Sequence, residues 1–324
     1  MRQPLLSRVA DSVYWMSRYI ERAENVARVV DVNLQLMLDS VSISQQWMPL
    51  VDTSGDARAF TERYGVANRD TVIDFLTFDT KNPNSILSCL RAARENARTV
   101  RDTVSSEMWE QVNKLYLTVT GEATSGRALH SPYDLFYDIR MGCHLFQGIT
   151  DSTMSRNEAW HFIRTGRKLE RADKTTRILD VKYFLLLPSL QAVGTSIDDI
   201  QWSAVLKSVS GFEMYRKRFG RISPHRVAEF LLLDREFPRA VHHCLMCAAE
   251  SIHAITGTPQ GQFNNLVEQR LGQARSEMAY QRAEDIVAAG LHEFLDSLQT
   301  KLNQIDDAVY STFFRMEPLA ATAG

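Results

Sequence analysis

Apolar residues recur at Val9, Met16, Tyr19, Ile20, Ala23, Val26, Ala27, Val30 and Leu34, in the three- and four-residue steps that line one side of an α-helix. The spacing predicts an amphipathic helix over about 9–38. A second stripe, Ile86, Leu90, Ala93, Ala97, Val100, Val104, Met108, Val112 and Leu115, predicts a helix of about nine turns that starts behind Asn84-Ser85 and stops at Gly121. Further helical periodicity covers 132–148, 157–187, 197–219, 224–234, 238–256 and 263–314, with a break near Gly290. Pro224 and Pro238 suit first-turn positions, where a missing N–H costs nothing. Strand alternation is almost absent, and the segments between helices are short and polar, such as Lys81-Asn-Pro-Asn84 and Gly257-Thr-Pro-Gln-Gly261, which is turn chemistry rather than interdomain linker. These features predict an all-α fold, a bundle of long antiparallel helices forming a single domain over 1–318. A weak boundary is expected near 188–197, and the tail 319–324 has nothing to pack.

One pattern exceeds what helix formation requires. Residues 17–31 read SRYIERAENVARVVD and residues 166–180 read GRKLERADKTTRILD. At a constant offset of 149 they share Arg18/Arg167, Glu21/Glu170, Arg22/Arg171, Ala23/Ala172, Arg28/Arg177 and Asp31/Asp180. Charges of defined sign recurring at one spacing point to an internal duplication or to two halves of one site. At 100° per residue the first copy puts Arg18, Glu21, Glu24, Asn25, Arg28 and Asp31 opposite the apolar stripe. The simpler reading of that face is solvation, laced by Arg18–Glu21, Glu24–Arg28 and Arg28–Asp31 pairs of a few tenths of a kcal/mol each. The functional reading places the two motif helices across a polar cleft, where Arg18, Arg28, Arg167 and Arg177 grip an anion while Glu21 and Glu170 orient them. A looser echo at Arg94, Glu95 and Arg98 is a possible addition to such a site, or simply the polar side of a long helix.

Composition narrows the options. The 37 basic residues against 39 acidic ones give a net charge of −2, without the positive excess that phosphate-backbone binding favours, so nucleic acid is not an expected partner. No window approaches the ~20 apolar residues of a membrane span, and the charged N-terminus predicts no export signal. Four cysteines in 324 residues make no disulfide scaffold and fit a reducing cytoplasm. Cys244 and Cys247 lie one helical turn apart beside His242 and His243, which raises a metal or redox site; the second ligand pair that structural zinc uses is absent, so packed core cysteines and no metal are the expectation. Phosphate-loop, dinucleotide-binding and hydrolase-elbow patterns are missing, and no cofactor is expected.

Leu6-Ser-Arg-Val-Ala-Asp-Ser-Val-Tyr-Trp-Met-Ser-Arg-Tyr-Ile-Glu-Arg-Ala-Glu-Asn25, Arg94-Glu-Asn-Ala-Arg98 through Ser105-Ser-Glu-Met-Trp-Glu110, and His144-Leu-Phe-Gln-Gly-Ile-Thr-Asp151 followed by Leu169-Glu-Arg-Ala-Asp173 resemble the bacterial alpha-E proteins, helical proteins named for a Glu-Arg motif. The resemblance extends through Phe230-Leu-Leu-Leu-Asp-Arg-Glu-Phe-Pro-Arg239 to Gly290-Leu-His-Glu-Phe-Leu295. It carries the motif onto Glu21, Arg22 and Glu24, and onto Glu170, Arg171 and Asp173, which adds Arg22, Glu24, Arg171 and Asp173 to the candidate anion-binding set. It also implies company: proteins of this kind accompany, or are fused to, a circularly permuted ATP-grasp ligase in a peptide- or amide-bond-forming system. The expectation is therefore a helical accessory or substrate-presenting partner of such a ligase, taking a peptide or small anion. Two alternatives stand beside it: an enzyme with Glu21 or Glu170 as general base, and a structural scaffold.

Overall fold

The structure, a computed structural model, describes residues 5–39, 47–125, 131–185 and 196–315. Among these the regular elements are helices, with no strand. The expected boundary near 188–197 falls mostly outside the described residues, and the tail 319–324 falls outside entirely.

Helix α1 (Ser7–Asp39) is the axle of the bundle. Its stripe residues Met16, Ile20, Ala23, Ala27, Val30 and Leu34 are buried, but so are Arg18, Glu21, Glu24, Asn25, Arg28 and Asp31. A solvated charged face is thereby ruled out: α1 is covered on both sides. Its main neighbours are α5 (Ile86–Thr99), α7 (Pro132–Thr153) and α8 (Glu158–Leu185), and α8 packs in turn on α12 (Val241–Thr256). The α1–α8 crossing is close because Gly166 has no side chain there; a Cβ would lie 2.5 Å from the Tyr14 carbonyl oxygen and 2.7 Å from Ser17 Oγ. Ser17 Oγ bridges the same crossing, donating to the Ile163 carbonyl at 2.8 Å.

The long second stripe is two helices. The chain leaves α5 at Thr99 and restarts as α6 (Ser106–Ser125). Val100 and Val104 both stay buried through the bend, so the apolar spacing persists where the hydrogen-bond ladder does not. Ser105 Oγ caps the restart by accepting from Met108 N at 3.2 Å. Three short helices with no sequence expectation, α2 (Met48–Ser54), α3 (Ala57–Tyr64) and α4 (Arg69–Thr77), form a side lobe. Phe60 is its centre, stacked on Tyr64 and edge-on to Phe75, and an Asn68–Thr71 capping box starts α4.

The C-terminal half comprises α9 (Ser196–Ser208), α10 (Phe212–Phe219), α11 (Pro224–Ala228), α12, α13 (Leu266–Tyr280), α14 (Ala283–Ala289) and α15 (Leu291–Val309). The expected helix over 197–219 breaks at Ser210, whose φ is +52°. Pro224 occupies the first turn of α11, whereas Pro238 precedes α12, which begins at Val241. Wide π turns finish α11 at Glu229–Leu233 and α15 at Tyr310–Phe314.

Candidate functional site

The two Glu-Arg pairs meet where α1 crosses α8, and they pair with each other. Arg171 clamps Glu21 through two bonds, Nε to Oε1 at 2.7 Å and Nη2 to Oε2 at 2.8 Å. Arg22 clamps Glu170 in the same way, at 2.7 and 3.0 Å. Such forked guanidinium–carboxylate contacts fix orientation as well as charge. Each carboxylate collects further donors: Arg239, Gln147 and Asn25 on Glu21 at 3.0, 3.1 and 3.2 Å, and Arg18 on Glu170 at 2.9 Å. Both glutamates are fully buried. Burial alone raises a carboxyl pKa, but Arg171 and Arg239 hold Glu21, and Arg22 and Arg18 hold Glu170, well below the usual carboxylate range. Both therefore stand as ionised carboxylates whose oxygens are taken up by arginine donors.

Beyond the clamp, the first motif runs into a second layer. Glu24 receives Arg239 Nη2 at 2.7 Å and pairs with Arg28 one turn on. Asp31 pairs with Arg140 of α7. Arg28 also meets His144 Nε2 at 3.2 Å. Of the intrahelical pairs expected on α1, Glu24–Arg28 forms; Arg18 turns instead to Glu170 and Asp306. Around Glu21, Glu24 and Asp31 stand four guanidinium groups, Arg28, Arg140, Arg171 and Arg239, one more than the carboxylates. Arg28 Nε and Arg140 Nε are buried without a hydrogen-bond partner. Burial, then the charges of Arg239 and Arg140, pull Arg28 down to about 8. His144 is brought to about 4 by burial and by Arg28 and Arg239, so it is neutral and accepts from Arg28. At 40 % side-chain exposure, it is where this layer reaches the surface.

A family model described as "a predicted alpha-helical domain with a conserved ER motif", Alpha-E, matches residues 5–314. The chain belongs to the Alpha-E family. Uncharacterized proteins of Mycobacterium bovis and Mycobacterium tuberculosis are each 22 % identical over 329 residues, covering 94 % of this chain and 36 % of the relative. The chain thus spans about a third of the length of the curated relatives it matches. No solved structure matches it.

In this Alpha-E chain the ER motif is a reciprocal lock between α1 and α8. Arg18, Arg22 and Arg171 are committed to Glu170, Asp306 and Glu21. The second motif diverges after its Glu-Arg pair: Asp173 is held by Arg177 at 2.9 Å and by Lys174 at 3.4 Å, closing that end locally. Arg167 is partly covered, its Nε buried without a partner, with Asp151 at 3.9 Å and the charges of Arg171 and Glu21 also acting on it. The α5 group stays outside the cluster. Arg94 donates to Asn113 and lies over Trp109 and Tyr116, while Glu95 takes Arg94 and Arg98.

Sequence reasoning did not assign Arg140, His144, Gln147, Asn84, Arg239 or Asp306. Arg22 reaches Asn84 at 2.7 Å, and Asn84 in turn donates to Asp56, tying the side lobe to the motif. His144 and Gln147 are spaced to line one face of α7, a signal present in the sequence. Arg239 carried no such cue, since it sits in the bend before α12 and enters the cluster from there. All four cysteines are buried and free.

Proposed function

We propose that this Alpha-E chain is a non-catalytic helical partner of an ATP-grasp ligase in a cytoplasmic peptide- or amide-bond-forming system. It holds an anionic group of the substrate where the Arg28 layer meets the surface at His144. The observation that carries this reading is the buried surplus of guanidinium groups around Glu21, Glu24 and Asp31, with Arg28 Nε and Arg140 Nε unpartnered. A buried N–H without an acceptor is costly, and a carboxylate or phosphate offers the missing acceptor. The locked state of Glu21 and Glu170 supports a partner over an enzyme. The relatives, in which the matching segment is 36 % of the chain, support a module that works beside other domains.

The test is co-purification with the ligase, followed by mass analysis of the product and its yield from Arg28→Gln and Arg177→Gln. Loss of a charge-assisted hydrogen bond costs about 1.5–3 kcal/mol, so yield at limiting substrate is expected to fall at least about tenfold for Arg28→Gln. It stays near wild type for Arg177→Gln, whose partner is Asp173. Equal yield from wild type and Arg28→Gln removes the anion site from the proposal, and absence of a complex removes the partnership.

A further inference from the structure

We propose that Cys247 and His243, on one face of α12, form a nucleophilic thiol site that takes an acyl group from an acyl phosphate. His243 Nδ1 lies 2.8 Å from the Arg235 carbonyl oxygen. That contact places the ring proton on Nδ1 and leaves Nε2 as acceptor, 3.4 Å from Cys247 Sγ. A thiol, a base within reach and a third group orienting the base is the arrangement that activates cysteine nucleophiles.

A second observation comes from α8. Lys168 is 6 % exposed and, among the described residues, makes no hydrogen bond or ion pair. Cys244 and Cys247 are the groups near it whose thiolate forms favour its charge. A largely covered lysine with no carboxylate partner favours an anion beside it, and a thiolate with an anionic electrophile next to it supplies one.

The charged groups facing Cys247 are Arg164, Lys168 and Arg171 from α8, and the titratable group beside it on α12 is His243. Glu250 is occupied by Arg164 at 2.9 Å, and Glu21 of α1 acts on the neighbouring Cys244. Burial pushes the Cys247 thiol up, but the His243 hydrogen bond and the charges of Lys168 and Arg164 outweigh it and bring the thiol down to about 7. Cys244, fully buried with its Sγ on the Pro238 carbonyl, is pushed up.

In the step, the thiol proton passes to His243 Nε2 and Sγ attacks the acyl carbon. The carbon–oxygen bond to phosphate breaks, and phosphate leaves with the electron pair, its charge met by Lys168. The product is a thioester, which an amine converts to an amide as the thiol recovers its proton. The source of the acyl phosphate rests on the ATP-grasp reading above; the thiol activation does not.

Two measurements on the full chain test the site. Iodoacetamide labelling read by peptide mapping is expected to show Cys247 reacting about 15-fold faster at pH 7 than an unperturbed thiol of pKa about 8.5, with Cys89 and Cys143 protected. Lys168→Met and His243→Asn both slow it, and Lys168→Met melts close to wild type because it keeps the packed aliphatic stem and breaks no ion pair. Acetyl phosphate is expected to leave one hydroxylamine-labile acetyl group on Cys247. Cys247 labelling no faster than Cys89, or acetylation confined to lysines, overturns the proposal. Either failure leaves ligase co-purification unaffected, so the two readings fail separately.

Discussion

Replacing Glu170 by Gln removes one charge from the lock while keeping the side chain's shape. The amide oxygen keeps the contacts of one carboxylate oxygen, while the NH2 group faces guanidinium donors in place of the other: Arg22 loses one of its two bonds and retains Asn84, and Arg18, whichever way the amide turns, retains Tyr14 and Asp306. Breaking a buried pair by neutralising one partner costs about 3–5 kcal/mol, because the other charge stays buried. With an unfolding entropy of roughly 2 cal/mol/K per residue, 324 residues give about 0.7 kcal/mol/K, so the expected fall in Tm is roughly 4–7 °C. The pH dependence gives a second readout. Arg22 and Arg18 depress the folded-state pKa of Glu170, so its contribution is fully present above the unfolded value of about 4.3 and is lost as pH falls toward the folded value. Wild type is therefore expected to lose stability steeply below about pH 4.3, and Glu170→Gln to show a shallower acid limb. Calorimetric scans of both proteins from pH 7 to pH 3 measure this. A variant melting within about 1 °C of wild type with an unchanged acid limb refutes the claim that the carboxylate locks α1 to α8.

Gly166→Ala puts a methyl group against the Tyr14 backbone and is expected to lower stability by about 1–3 kcal/mol, read by chemical denaturation. The Asp180 hydrogen bond raises the His292 pKa, so that contribution is present below the unfolded value of about 6.5 and is lost as pH rises through the folded one. NMR titration is expected to place His292 above about 6.5, and Asp180→Asn to lower it. Arg94→Gln is expected to cost about 1 kcal/mol or less and to leave ligase-dependent yield unchanged, because its contacts are local and partly exposed.

The helical class and the spans of α1, α7 and α8 were legible because each carries an apolar stripe long enough to set its period. The α5–α6 bend was not, since Val100 and Val104 keep helical spacing through it, while the ladder stops at Thr99 and a Ser105 cap starts it again. The side lobe was missed because helices of seven to nine residues are too short for periodicity to show. At the site, the repeated Glu-Arg spacing named the residues, but spacing along one helix predicts partners on that helix. Glu21 and Glu170 find theirs on another element, and Arg239 enters from a bend, where period carries no information.

The lock has a property that belongs to symmetry rather than to strength. Glu21 meets Arg171 and Arg22 meets Glu170, so each pair gives what it receives, the form an isologous contact takes around a two-fold axis. Such a surface needs no second kind of partner. A helix bearing Glu-Arg in this setting is complementary to another helix bearing the same pair, and in this chain α1 and α8 meet at high effective concentration because one chain carries both. Both halves lie in one molecule, so the lock closes on itself, and the tight crossing at Gly166 and Ser17 holds the two helices in the register that lets each pair find the other.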